Sequence, residues 1–161
     1  MIKKYSVLFV CIHNSARSQM AEAFLRTLGG EYFSVESAGL EPGTLNPLVV
    51  VTMQEVGIDI SEQKTTLVDE LIRQGRQFDY VITVCDAANG QRCPVFPGTA
   101  KRLHWSFDDP AALPGKYTEQ MQEICRIREE IYKKIIFFFK NETFHVYNTI
   151  CPHKMITSGK A

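Results

Sequence analysis

Tyr5-Ser6-Val7-Leu8-Phe9-Val10-Cys11-Ile12-His13-Asn14-Ser15-Ala16-Arg17-Ser18 passes from an unbroken apolar run, through a polar loop, to an Arg-Ser pair. An apolar run without alternation is the signature of a strand buried on both faces of a parallel sheet. From Ser18 to Leu28, Met20, Ala21, Phe24, Leu25 and Leu28 recur at helical spacing, and Gly29-Gly30 stops the pattern. Buried strand, short loop and helix in that order mark the opening unit of an α/β fold.

The rest of the chain repeats the alternation. Tyr32–Ser37 reads as a second strand and Gly39–Gly43 as a turn. Asn46-Pro47 places a capping residue and a first-turn proline at the start of a helix that Gly57 closes. Thr66–Gln74 is predicted as a short helix, Asp79–Val84 and Ala100–Trp105 as strands, and Pro110–Gly115 as a loop. A long helix follows from about Tyr117 to Lys140, with the apolar run Ile135–Phe139 as its buried end. The expectation is one domain over residues 1–140, three layers deep, with a central four-stranded parallel sheet flanked by helices on both faces. Beyond it lies a C-terminal extension, 141–161, with a short strand over Thr143–Ile150 and a disordered end from Thr157. Ligands of such sheets bind beyond the carboxyl ends of the strands, near a switch in strand order.

At 161 residues, 45% hydrophobic and 22% charged, the chain has the composition of one globular core. Eighteen basic residues balance eighteen acidic ones, which speaks against a general nucleic-acid binder. The apolar run Val7–Val10 is too short for a secretory or membrane-spanning segment, so a cytoplasmic monomer without membrane contact is expected. In that reducing compartment, the five cysteines (Cys11, Cys85, Cys93, Cys125, Cys151) read as catalytic, redox-active or buried rather than as a disulfide framework.

Cys11 ends the first strand, and Arg17 follows it after five residues. A loop of that length can wrap a tetrahedral oxyanion, aiming the backbone N–H groups of Ile12, His13, Asn14, Ser15, Ala16 and Arg17 at its oxygens. The helix beginning at Ser18 adds unpaired N–H groups and the positive end of its dipole. The planar fork of Arg17 grips two oxygens at once. The same surroundings favour the thiolate of Cys11, the reactive form, and the Ser18 hydroxyl is placed to donate to its sulfur. A nucleophile and an anion cradle therefore coincide.

This loop resembles that of the low-molecular-weight protein tyrosine phosphatases and, within that fold, of the thioredoxin-coupled arsenate reductases. The resemblance runs through Arg17-Ser18-Gln19-Met20-Ala21-Glu22, Ser37-Ala38-Gly39, Asn46-Pro47 and Gly57-Ile58-Asp59-Ile60-Ser61. It continues through Val84-Cys85, Cys93-Pro94 and His104-Trp105 to Phe107-Asp108-Asp109-Pro110. It implies a three-cysteine cascade. Cys11 attacks arsenic; Cys85 attacks Cys11 and releases arsenite; Cys93 then attacks Cys85, leaving a Cys85–Cys93 disulfide for thioredoxin. The resemblance also makes Asp109 the general acid and Asp108 a structural neighbour. No resident cofactor is implied, and thioredoxin is the external reductant. The competing reading is a phosphotyrosine phosphatase working through a cysteinyl-phosphate. Phosphatases of this fold carry aromatic residues just after Asp-Pro, where this chain has Ala111-Ala112-Leu113.

Several positions depart from the reductase pattern. His13 stands where the loop usually carries glycine, so its side chain must point outward or reshape the entrance. Ala16 replaces a frequent, non-nucleophilic cysteine, and the Cys85–Cys93 segment is one residue longer than the common form. Some of these reductases hold potassium through positions matching Asn14, Glu22 and Ser37. The remaining matches here are Lys64 and Thr66, so a lysine ammonium would replace the ion and no potassium dependence is expected. Cys125 reads as helix packing, Cys151-Pro152-His153 is too sparse for zinc, and no metal site is expected. His104 and Trp105 read as packing near the site.

Overall fold

The computed structural model describes residues 3–86 and 96–150. Four strands, β1 (Tyr5–Cys11), β2 (Phe33–Gly39), β3 (Tyr80–Thr83) and β4 (Lys101–His104), form one sheet in the order β2-β1-β3-β4. Every pairing is parallel. The chain steps from β1 to one side for β2 and then crosses to the other for β3. The switch in strand order therefore falls at the carboxyl end of β1, where Cys11 lies, and this is where α/β sheets open a ligand crevice.

The helices are α1 (Arg17–Gly29), α2 (Pro47–Glu55), α3 (Val68–Arg73) and α4 (Tyr117–Ile150). Alternate residues of β1 feed opposite cores, which explains its unbroken apolar run. Val7, Phe9 and Cys11 pack with Met20, Phe24, Ile124, Ile127 and Ile131 from α1 and α4. Leu8 and Val10 pack with Val68, Leu71, Phe78 and Phe96 on the α3 face. Each fully buried large side chain contributes roughly 1.5–3 kcal/mol. Among the described residues no helix is long and apolar enough to cross a membrane.

α2 starts as its capping pair predicts, with Asn46 Oδ1 accepting from the Leu48 N–H at 2.9 Å and Pro47 in the first turn. α3 starts later than predicted. Thr66 and Leu67 are held extended against the end of β2, where the Gly39 N–H donates to the Thr66 carbonyl at 2.8 Å and Gly39 bridges Leu67.

The larger correction concerns α4. The strand expected over Thr143–Ile150 is absent, and the helix passes Lys140 unbroken to Ile150. Tertiary contacts carry it across. The Tyr80 hydroxyl donates to Glu142, Lys101 pairs with the same carboxylate at 3.7 Å, and Thr143 donates back to the Phe139 carbonyl at 2.6 Å. These contacts outweigh the strand preference of the β-branched and aromatic residues beyond position 142. Residues 151–161, with the disorder expected from Thr157 and the Cys151-Pro152-His153 triplet, lie outside the described residues.

Candidate functional site

The loop from Ile12 to Ala16 is shaped by the segment that follows β2. N–H groups of Leu40, Glu41 and Asn46 donate to the carbonyls of Cys11, Ile12 and Ser15 at 3.2, 2.8 and 2.9 Å. With these carbonyls turned away and satisfied, the loop's own amides remain for the concave side. Gly39 permits the contact, since a Cβ there would stand 2.8 Å from the Asn14 nitrogen and the His13 carbonyl carbon. Asn14 takes the left-handed region at φ 52°, which asparagine tolerates better than most residues. The His13 side chain points outward and is half exposed, with Nδ1 3.8 Å from Glu41.

Cys11 is buried and held from two directions. The Asn14 N–H donates to Sγ at 3.1 Å, and Ser18 Oγ lies 2.9 Å from the same sulfur. One of the amides expected to face an oxyanion, that of Asn14, is therefore turned to the Cys11 sulfur. Asn14 Nδ2 donates to Ser18 Oγ at 2.7 Å and to Ser37 Oγ at 2.9 Å, while the Thr66 N–H donates to Asn14 Oδ1 at 3.0 Å. Ala16 caps α1 and offers no side-chain acceptor, leaving the helix's positive end turned to the loop.

Arg17 is buried beneath the acid loop. Its Nη1 donates to the Phe107 carbonyl at 3.1 Å, and its Nη2 lies 3.4 Å from Asp109 Oδ2. Asp109 also caps a single 3-10 turn, Pro110–Ala112, by accepting from the Ala111 N–H at 3.0 Å. Asp108 points elsewhere, to Arg126 on α4 at 2.6 Å, as a structural neighbour would. The two aspartates thus diverge, Asp109 toward Arg17 and Asp108 toward Arg126 of α4.

Cys85 is fully buried just past β3, with Sγ 3.8 Å from the Val10 carbonyl. Register pairs Val10 with Thr83, so Cys11 at the end of β1 and Cys85, two residues past β3, lie at the carboxyl ends of neighbouring strands. Both belong to the same apolar cluster. Cys93 lies outside the described residues. Cys125 is a half-buried thiol of α4, 3.6 Å from Glu55, and burial pushes its ionisation up. His104 is bonded at Nδ1 to Thr83 Oγ1 at 2.7 Å, at the carboxyl ends of β4 and β3.

The expected cation beside Glu22 is corrected. Lys64 is exposed and contributes its carbonyl, which accepts from Gln19 at 3.1 Å. Arg26 pairs with Glu22 instead, while donating to the Val35 carbonyl at 3.0 Å. Ser37 donates to the other Glu22 oxygen, and Asn14 Oδ1 is taken by Thr66 and Gln19. The oxygens of Glu22, Ser37 and Asn14 are thus all engaged within the chain. Burial dominates Glu22 and raises its ionisation above the ordinary value, against the lowering by Ser37 and Arg26. Among the described residues no three His, Cys, Asp or Glu side chains gather as a metal site.

Gln19 has no part in the sequence-derived chemistry, yet it is fully buried behind the loop. Its helical neighbours at i−3 and i+4, Ala16 and Ala23, are both core residues. That spacing already marks the position as inward-facing.

Comparison with known proteins agrees with this architecture. The family model for low molecular weight phosphotyrosine protein phosphatases matches residues 6–142. Arsenate reductase 2 of Staphylococcus saprophyticus is 44% identical over 138 residues, covering 86% of this chain and 98% of that protein. Among solved structures, an arsenate reductase in its phosphate-binding state matches with TM-score 0.70 and 32% identity, over 85% of this chain and 98% of its own. The thioredoxin-dependent arsenate reductase of Corynebacterium glutamicum matches with TM-score 0.54 and 35% identity, over 83% of this chain and 63% of its own. With a family match over most of its length, and the cysteine loop, helix start and acid loop assembled at one sheet edge, the chain belongs to the low molecular weight phosphotyrosine protein phosphatase family.

Proposed function

We propose that this protein reduces arsenate to arsenite through a thiol relay regenerated by thioredoxin. Arsenate enters the Ile12–Ala16 cradle, held by loop amides and Arg17. The Cys11 thiolate attacks arsenic and an oxygen leaves as water, taking a proton from Asp109. Cys85, as thiolate, attacks the Cys11 sulfur. The S–As bond breaks with its electron pair passing to arsenic, which departs as arsenite, and a Cys11–Cys85 disulfide remains. Cys93 attacks Cys85, restoring the Cys11 thiolate, and the dithiol of thioredoxin reduces the Cys85–Cys93 disulfide. One arsenate consumes the two electrons of one dithiol.

The observation that carries this reading is the second buried thiol, Cys85, just past the carboxyl end of the strand next to the one that ends in Cys11. Phosphate-ester hydrolysis through a cysteinyl-phosphate uses Cys11, Arg17 and Asp109 and has no role for Cys85. The names of the relatives support the same substrate, and the Corynebacterium structure supports the same reductant. Phosphotyrosine hydrolysis is the second reading, supported by the shared loop and the family match. It is weakened by Ala111-Ala112-Leu113 at the position of the aromatic wall.

The test is thiol mapping by mass spectrometry after a single arsenate turnover without thioredoxin. A Cys85–Cys93 disulfide with one equivalent of arsenite is the expected result. All three thiols intact, together with efficient cleavage of a phosphotyrosine peptide, would overturn the proposal.

A further inference from the structure

Behind Cys11 the hydrogen bonds converge on Asn14, which Gln19 holds at both its backbone carbonyl and its side-chain oxygen. Gln19 Nε2 lies 2.9 Å from the Asn14 carbonyl and 3.1 Å from the Lys64 carbonyl. Backbone carbonyls only accept, so this end of the amide is the nitrogen. Gln63 Nε2 donates to Gln19 Oε1 at 2.6 Å and holds the other end.

The same logic orients Asn14. The Thr66 backbone N–H only donates, so the atom it meets is Oδ1, and Gln19 Nε2 adds a contact there at 3.2 Å. Nδ2 is thereby turned toward Ser18 and Ser37. With Cys11 as the thiolate, which can only accept, Ser18 Oγ donates to Sγ while accepting from Asn14 Nδ2. The clamp on the Asn14 carbonyl also holds the left-handed backbone that aims the Asn14 N–H at the same sulfur.

We propose that Gln19 is a positioning residue for the nucleophile, fixing through Asn14 both donors that Cys11 receives. This rests on Cys11 being the reactive thiol. It concerns the readiness of that thiol and is independent of the arsenic chemistry. A buried glutamine that only satisfied its own polar atoms would contribute to stability and leave Cys11 unaffected.

The experiment is alkylation of the full chain by iodoacetamide across pH 4–9, with Cys11 followed by peptide mass spectrometry. Wild type is compared with Gln19→Met and with the milder Gln63→Ala, which removes only the outer hold on the amide. In Gln19→Met the Cys11 profile moves up by about one pH unit, or about tenfold less thiolate on the rising limb, the scale of one lost hydrogen bond to a charged group. Gln63→Ala moves it the same way by less. A Gln19→Met protein that melts earlier while its Cys11 profile superimposes on wild type would overturn the proposal. Should that variant fail to fold, an unmoved profile in Gln63→Ala overturns it alone. A shifted profile in an enzyme that does not reduce arsenate keeps the positioning role and removes the substrate reading.

Discussion

Arg17 Nη2 and Asp109 Oδ2 lie 3.4 Å apart, one on the first turn of α1 and the other ahead of the 3-10 turn. The guanidinium also donates to the Phe107 carbonyl, so the residue that would bind the oxyanion also holds the loop carrying the acid. Arg17→Lys keeps the charge and loses both the fork and this double contact. The expected outcome is a fall of about a hundredfold in kcat/KM for arsenate and for aryl phosphates alike. Asp109→Asn slows aryl phosphates with poor leaving groups by about a hundredfold or more and those with good leaving groups far less. Steady-state kinetics over a series of leaving groups checks both.

Cys85→Ser separates the two readings of the site. Thioredoxin-coupled arsenate turnover is expected to stop, while slow hydrolysis of a small aryl phosphate continues, since that reaction needs Cys11 and the cradle alone. Assay of both activities on one preparation decides it. A variant that still turns over arsenate removes the relay.

Glu22 makes stability depend on acidity in an unusual direction for a carboxylate. Burial raises its folded-state value above 4.5, so between 4.5 and that raised value the folded chain binds more protons than the unfolded one. The contribution of Glu22 to stability is then fully present below 4.5 and is lost as pH rises through the window. Glu22→Gln is neutral throughout, so its stability relative to wild type should improve as pH rises past 4.5 and then level off. Urea midpoints of both proteins from pH 4 to 8 measure this, and a constant gap would refute it.

Potassium provides a second check on the same carboxylate. With Arg26 on one Glu22 oxygen and Ser37 on the other, replacing sodium by potassium should leave melting temperature and turnover unchanged. A large, specific stimulation by potassium would show that the donor set opens to an ion.

Gly39→Ala places a methyl group 2.8 Å from the Asn14 nitrogen and the His13 carbonyl carbon, both backbone atoms of the loop. A cost of about 1–3 kcal/mol is expected for such overpacking. Activity should fall by a larger factor than the folded fraction does, because the displaced atoms include the N–H on Cys11. Parallel denaturation and kinetic measurements distinguish the two losses.

Much of the fold and of the site is legible in the sequence alone. The apolar run of β1 and the Cys11–Arg17 spacing located the strand end, the loop and the helix start, because each follows from local chemistry. The Asn46-Pro47 cap did the same for α2. What escaped depends on partners distant in sequence. α4 continues past Lys140 because Tyr80 and Lys101 reach Glu142 from neighbouring strands, a contact no local propensity carries. Arg26 takes the place expected for Lys64 because i and i+4 on α1 bring it to Glu22, a spacing already present in the sequence. Gln19 is a polar residue in a buried register, and its role emerges only when Gln63, Lys64 and Thr66 fold back over the loop.

The two donors on Cys11, a backbone N–H and a serine hydroxyl, are dipoles without net charge, buried beneath the loop. Mobile ions screen net charges at a surface far more than fixed dipoles inside a protein. On the proposed reading the two hydrogen bonds on the sulfur are therefore insulated from ionic strength, while oxyanion capture by the charge of Arg17 would be open to competition from every other anion in solution. Salt would then empty the site and leave these two bonds in place.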